Sequence, residues 1–228
     1  MLPCLLWGYR TSLLANAVML SIFAIFIFKT RALLAIGLTF GLGVSIIFFT
    51  PSIKEKMFFD SQQVTIKDFK EGRISVEQIN SNGRFNTWGK LLNRYYKNHK
   101  ILGSGTGTTQ GSMQINKSFG GLTVPHNDYV TLLCDNGLLG LILYLSSFIT
   151  IIWQCFRKFN NIQSSTEIRF CAIIAGSTLS AIITAMFTEN IINYSIATLT
   201  IPFVFYGIMM GLSWGKNHND DFDNYSSL

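Results

Sequence analysis

Residues 136–156 read NGLLGLILYLSSFITIIWQCF, a run with no Asp, Glu, Lys or Arg. Its length matches the roughly 20 apolar residues that an α-helix needs to cross a bilayer. Working outward from it, four further windows share its character: residues 11–28, 32–50, 170–188 and 190–215, none of which holds an acidic or basic side chain. Only Lys29-Thr30-Arg31 separates the first two windows, and little more than Glu189 separates the last two. Backbone groups in lipid must be paired within the segment, which favours helices. Both pairs therefore predict tight antiparallel helical hairpins. The expected fold class is an all-α polytopic membrane protein of about five transmembrane helices with one large, partly helical outer loop.

The composition agrees. Apolar residues make up 49% of the 228 positions and charged residues only 13%, against about 25% in an ordinary soluble domain. That shortfall argues against a soluble enzyme and against a disordered chain. The four cysteines, Cys4, Cys134, Cys155 and Cys171, show neither C-x-x-C nor paired spacing. They suggest neither a disulfide framework nor a zinc cluster. His99, His126 and His218 are too scattered to suggest a metal site.

Orientation follows from the Lys/Arg bias of the short loops. One face would hold Lys29, Arg31, Arg157, Lys158, Arg169 and Lys216, and the other only Arg10. The first face is therefore expected in the cytoplasm. The long segment between the second and third windows then lies outside, with eleven Lys/Arg against seven acids. Loops longer than about 60 residues cross largely regardless of charge, so this excess does not oppose the assignment. It fits either an anionic partner outside or a solvated lysine-rich loop. The expected divisions are 1–50, an outer stub and hairpin; 51–135, the outer loop; 136–215, the remaining transmembrane helices; and 216–228, a cytoplasmic tail. Residues 1–7 are apolar, too short to span, and lack a basic signal region. They read as the end of an earlier helix, as expected of the C-terminal part of a larger or split protein.

Within 51–135 the informative stretch begins at Arg84. At 100° per residue Arg84, Phe85, Trp88, Leu91, Leu92, Tyr95 and Tyr96 share one broad face. An arginine on that apolar stripe is explained by a snorkelling stem, a structural ion pair or an anionic ligand. Next comes Gly103-Ser104-Gly105-Thr106-Gly107, whose glycines let the backbone bend and expose N–H groups. It lacks the Gly-Lys-Ser/Thr of a phosphate-binding loop. It reads as a flexible turn, with Gly105 and Gly107 as weaker candidates for phosphate contact. Pro125-His126-Asn127-Asp128 then leads into the third window. Pro125 suits a helix start, Asn127 and Asp128 suit capping positions, and the helix dipole disfavours an imidazolium at His126. His126 is then either a hydrogen-bonded structural residue or a neutral base. Gly137 and Gly140 predict close helix packing.

These stretches, taken in order, resemble the bacterial O-antigen ligase and O-antigen polymerase superfamily. Arg10-Thr11-Ser12-Leu13-Leu14 resembles its Ser-Arg-x-x-Leu-Leu segment, with Tyr9 where Ser is usual. Arg84-x-x-x-Trp88 resembles its periplasmic Arg-x-x-x-Trp/Leu segment, and Leu102-Gly103-x-Gly105-x-Gly107 its Leu-Gly-x-Gly-x-Gly turn. His126-Asn127 followed by Gly137-x-x-Gly140 resembles its His-Asn-x9-Gly-x-x-Gly pattern. The likeness covers roughly residues 10–144, in a family whose members usually carry about ten or more spans.

The resemblance implies a metal-independent membrane glycosyltransferase without cofactor and with no nucleic-acid partner. It would lie in the bacterial inner membrane with the large loop in the periplasm. Its donor would be a glycan on undecaprenyl diphosphate, and its acceptor a hydroxyl of lipid A–core or of another repeat unit. His126 would be the catalytic base, with Arg84, Arg10 and Asn127 binding the diphosphate or substrate; Glu189, a weaker candidate at the same outer face, would either cap its loop or orient a cation. Fixed arginines suit a departing diphosphate, because the guanidinium fork pairs with phosphate and stays charged. Two other readings remain. A glycan transporter would need ionisable groups inside the spans, and the five windows have none. A noncatalytic or split fragment would need a partner subunit.

Overall fold

The structure is a computed structural model and describes residues 10–32, 36–37, 84–115, 122–194 and 196–226. The side chains at positions 10, 11, 30, 194, 196–197 and 216–226 lie outside the description. Most of the 32–50 window and all of 51–83 also lie outside the described residues, so the second expected span is not among them.

Seven α-helices are described. They are α1 (Arg10–Phe28), α2 (Arg84–Leu91), α3 (Thr108–Ile115), α4 (Asp128–Asn160), α5 (Thr166–Ala185), α6 (Ile191–Tyr194) and α7 (Ile196–Ser226). A 3-10 turn, Lys29–Arg31, follows α1, and a π-helical turn, Leu92–Tyr96, follows α2. No strand occurs among the described residues. Three stretches are long and apolar enough to cross a membrane: Asp128–Asn160, Thr166–Ala185 and Thr198–Gly215, with Ser12–Phe28 a shorter apolar helix. The chain is thus an all-α polytopic membrane protein.

Helix α5 is the centre of the bundle and packs against α1, α4 and α7. One core cluster joins Phe26 of α1, Cys155 of α4, Ile168, Cys171, Ala172 and Ala175 of α5, and Met209 of α7. A side chain at Gly176 would press on the ring of Phe26 at 3.0 Å and on Cys155 at 3.3 Å. Glycine there lets three helices meet, in line with the small residues at membrane helix contacts. The hydroxyls of Ser177, Thr178, Ser180 and Thr184 donate to carbonyls one turn earlier. Their polarity is thereby satisfied inside an apolar helix. The opposite surface stays uncovered: Leu143, Ile149 and Trp153 on α4 are about 60% exposed, as expected of faces that meet lipid.

The rings of Phe156 and Phe159 stand 5.6 and 5.1 Å from that of Phe26. The C-terminal ends of α1 and α4 therefore share one end of the bundle, and Lys29, Arg31, Arg157, Lys158 and Arg169 gather there. Basic residues in the last turn of α4, and Glu167 in the first turn of α5 behind its Ser165 cap, also complement the helix dipoles. The other end carries α2, α3, the start of α4 and the α5–α6 turn.

Helix α4 has 33 residues, about 50 Å at 1.5 Å per residue, which exceeds the roughly 30 Å of a hydrocarbon core. It is not continuous. Gly137 has φ 68° and ψ −170° and breaks it, separating Asp128–Asn136 from the remainder. The portion beyond the break is about the length of one span. The fifth window also divides: α6 is a four-residue helix, and α7 carries Pro202 in its interior.

Candidate active site

Arg84 and Trp88 are four residues apart and so lie one above the other on α2. The indole Nε1–H of Trp88 donates to the Pro125 carbonyl at 2.7 Å. Its ring meets Phe85 and Phe187 edge to face, at centroid distances of 5.1 and 5.8 Å. Arg84 Nη1 donates to the Thr188 carbonyl at 3.0 Å. One face of α2 thus grips two separate turns, the one before α4 and the one after α5. Trp88, Leu91 and Met113 close a small core with Val130 and Cys134 of α4. The expected stripe continues through the π-helical turn: Leu92, Tyr95 and Tyr96 pack partly buried against the same core, while Asn93, Arg94 and Lys97 are exposed. Phe85, placed on the stripe by periodicity, is instead 43% exposed.

His126 lies between those two turns. It has φ 52°, a conformation that costs a non-glycine residue energy and points to function when the surroundings enforce it. Here they do. Its N–H donates to Asn190 Oδ1 at 2.6 Å, and Asn190 Nδ2 donates to Asp128 Oδ1 at 3.4 Å. Asp128 in turn accepts from the N–H groups of Ile191 and Ile192 at 2.7 and 3.2 Å. Its own N–H donates to the Met186 carbonyl at 2.8 Å. Asp128, fully buried, therefore caps α6, not its own helix. The α4 cap is Asn127, whose Oδ1 accepts from Val130 N–H at 3.0 Å.

The imidazole itself is not satisfied. His126 Nδ1 is buried and has no hydrogen-bond partner. It faces Glu189 Oε2 at 3.7 Å, with side-chain exposures of 31% for the histidine and 43% for the glutamate. A native structure pairs most buried polar atoms, so an open one beside a carboxylate that can turn toward it is a site feature.

The glycine turn does something other than hold phosphate. Gly105 N–H donates to the Asp135 carbonyl at 2.9 Å. Gly107 N–H donates to Asp135 Oδ2 at 2.7 Å, and Thr109 N–H to Oδ1 at 2.9 Å. The Thr109 hydroxyl reaches the same carboxylate. Ser104 N–H donates to Cys134 O at 2.8 Å, while Leu138 and Leu139 N–H donate to Lys100 O and Ile101 O at 2.8 and 3.1 Å. The break at Gly137 frees backbone groups of α4, and the turn 100–105 pairs with them. A Cβ on Gly137 would overlap the Ile101 carbonyl, and one on Gly103 the Asp135 carbonyl.

Arg84, His126 and Glu189 thus come together around the α5–α6 turn. Asn127 sits beside them, 2% exposed, with its Oδ1 accepting from Val130 N–H as the α4 cap. The N–H groups of Gly105 and Gly107, the weaker candidates for phosphate contact, are both engaged by Asp135. Gly137 receives a backbone turn where helix-to-helix packing was expected. Helix α1 begins at Arg10, at the end of the bundle that holds the site, but the Arg10 side chain lies outside the description. Sequence reading passed over Asp135 and Asn190. Their only sequence signal was a polar residue at each edge of an apolar window.

The fold and this constellation define a class: a multi-pass, all-helical membrane protein with an arginine, a strained histidine and a carboxylate at one end of its bundle. The family model described as O-antigen ligase matches residues 2–145. The chain belongs to the O-antigen ligase family. No curated protein and no solved structure matches it.

Proposed function

We propose that this chain transfers a glycan from undecaprenyl diphosphate to an acceptor hydroxyl at the periplasmic face of the inner membrane, without a metal. The observation that carries the reading is the buried, unpartnered Nδ1 of His126 facing Glu189. A proton on Nδ1, directed at the carboxylate, leaves the lone pair on Nε2, the nitrogen on the opposite side of the ring. The acceptor oxygen attacks the anomeric carbon, its proton passes to Nε2, and the bond to the diphosphate breaks with its electron pair leaving on phosphate. Apo hydrogen bonds at such sites often tighten only with substrate bound, so a 3.7 Å approach suits a carboxylate that orients the base.

Arg84 uses Nη1 on Thr188 O, and its remaining donors suit the departing diphosphate, where fixed cations lower the barrier strongly. Arg10, at the head of α1, is the second cation in this reading. The acceptor is lipid A–core for a ligase or a second lipid-linked repeat for a polymerase. Glycan profiles of a deletion strain separate the two: polymer retained on the carrier lipid marks a ligase, and single repeats on the core mark a polymerase.

The test is glycan transfer by purified protein reconstituted in bilayers. His126→Ala should lower turnover about 10²-fold or more while leaving donor binding largely intact. Activity should also fall on acidification, because an imidazolium has no lone pair to accept a proton. Near-normal turnover in His126→Gln or His126→Asn would overturn the base assignment, since both keep hydrogen-bonding capacity without a base.

A further inference from the structure

The segment from Lys97 to Gly103 curls back on itself between the π-helical turn and the break in α4. Lys97 N–H donates to Leu92 O at 2.9 Å, His99 N–H to Tyr96 O at 3.1 Å, and Gly103 N–H to His99 O at 2.8 Å. The curl encloses an open hollow of about 390 Å³, lined by residues 97–103. Its tip is apolar: Ile101 and Leu102 are 70% and 72% exposed. Its shoulders are basic and exposed, Lys97 on one side and Lys100 on the other. Neither lysine pairs with a carboxylate among the described residues.

The height of this loop is fixed by the span beneath it. Lys100 O and Ile101 O accept from the N–H groups of Leu138 and Leu139, the first two residues after the break. Leu138 and Leu139 are each 45% exposed and continue into Ile142 and Leu143, at 54% and 60%. The apolar tip is therefore attached to the upper end of a lipid-facing band. In water, two adjacent aliphatic side chains held open by backbone hydrogen bonds would be unfavourable. At a bilayer surface the same geometry puts apolar tips among acyl chains and lysines at phosphate level.

We propose that residues 97–103 form an interfacial anchor, in which Ile101 and Leu102 enter the bilayer and Lys97 and Lys100 hold the phosphate of anionic phospholipid headgroups. Charge complementarity selects the occupant, because lysines beside a membrane surface favour anionic lipid. The inference rests on the membrane-spanning fold and not on the transferase reading.

The experiment uses the full chain with a nitroxide at Leu102→Cys, in bilayers of phosphatidylcholine with or without phosphatidylglycerol. The signal of the labelled parent chain is subtracted. Collisions with oxygen should exceed those with a water-soluble nickel chelate several-fold when phosphatidylglycerol is present. A label reached mainly by the chelate in both bilayers overturns the proposal. Native mass spectrometry then counts retained phosphatidylglycerol. Lys97→Gln combined with Lys100→Gln should reduce that count and move the label outward, with an unchanged thermal midpoint. Unchanged retention and depth in the double variant overturn the headgroup contact. So does displacement of phosphatidylglycerol from the parent chain by added undecaprenyl phosphate, which would reassign the hollow to the carrier lipid.

Discussion

The N-terminal part of α4 carries two junctions built from the same materials, a bent loop and an acidic side chain, and they are finished differently. At Asp135 both carboxylate oxygens, the carbonyl and the carbonyl of Cys134 all have partners, at 2.7–2.9 Å where ordinary hydrogen-bond lengths apply. At His126 the backbone is equally well tied, through Asn190, but the ring nitrogen is left open and Glu189 stops at 3.7 Å. A junction with every group paired holds structure. In the proposed reading, a junction whose backbone is clamped while its side chain is unsatisfied is where the chemistry takes place, since the clamp supports the strain of φ 52°. Substitutions at the two should therefore separate stability from activity.

The largest effect belongs to the first junction. Gly137→Ala places a methyl group on the Ile101 carbonyl at a backbone φ of 68°. A clash with backbone cannot be relieved by turning a side chain. The loss should be in the class of several kcal/mol that accompanies strain at special backbone positions, seen as a collapsed thermal midpoint in detergent and poor yield. A normal midpoint would break the comparison, because the glycine turn would then be a loose fit.

Arg84→Lys comes next, on the other side of the comparison. The charge survives but the planar fork does not. A charged hydrogen bond is worth about 1.5–3 kcal/mol, and 1.4 kcal/mol is tenfold, so transfer should fall by about 10–100-fold. The midpoint should stay close to that of the parent. Full transfer by the lysine variant would leave Arg84 as a strut on Thr188 and remove it from the site.

Glu189→Gln should be milder. At 43% exposure the carboxylate contributes little to folding, and its removal should leave the midpoint alone. The glutamine oxygen can still accept from Nδ1, but the negative charge that favours the reactive tautomer and steadies the protonated ring is gone, so kcat should drop by about tenfold with KM little changed. A variant with unaltered kcat would show that Nδ1 is merely buried, and the second junction would lose its distinction.

How much of this was legible in the sequence differs between the two junctions. Apolar length alone located the described spans, because a helix in lipid has no alternative. The four-residue spacing of Arg84 and Trp88 put both on one face of α2, as found. The partners they reach, the carbonyls of Thr188 and Pro125, belong to backbone and carry no residue signature. The glycines at 103 and 137 were each visible, but a sequence shows one backbone position at a time and cannot show that one glycine makes room for the other. Asp128 followed the rule for a helix start and was read as a local cap, whereas burial against α6 gave it longer-range donors. The π-helical turn at Leu92–Tyr96 left no mark in the periodicity.

The smallest effect should come from Trp88, which tests how the two turns of the site are held together. Trp88→Phe keeps an aromatic ring against Phe85 and Phe187 and removes one Nε1–H donor from the Pro125 carbonyl. A neutral hydrogen bond contributes about 0.5–1.5 kcal/mol net, so the midpoint should move by a few degrees at most. That carbonyl belongs to the peptide unit leading into His126, so the imidazole should lose some of its alignment. A misplacement of about 1 Å is enough to affect a reaction rate. The expected result is a kcat reduced several-fold with unchanged donor affinity, and partial recovery in Trp88→His, whose ring can present an N–H in a similar direction. If Trp88→Phe instead lowers the midpoint as far as Gly137→Ala does, α2 belongs to the fully paired, structural junction. If it changes neither stability nor kcat, the Asn190–Asp128 clamp alone fixes His126, and the gripping face of α2 serves only to deliver Arg84.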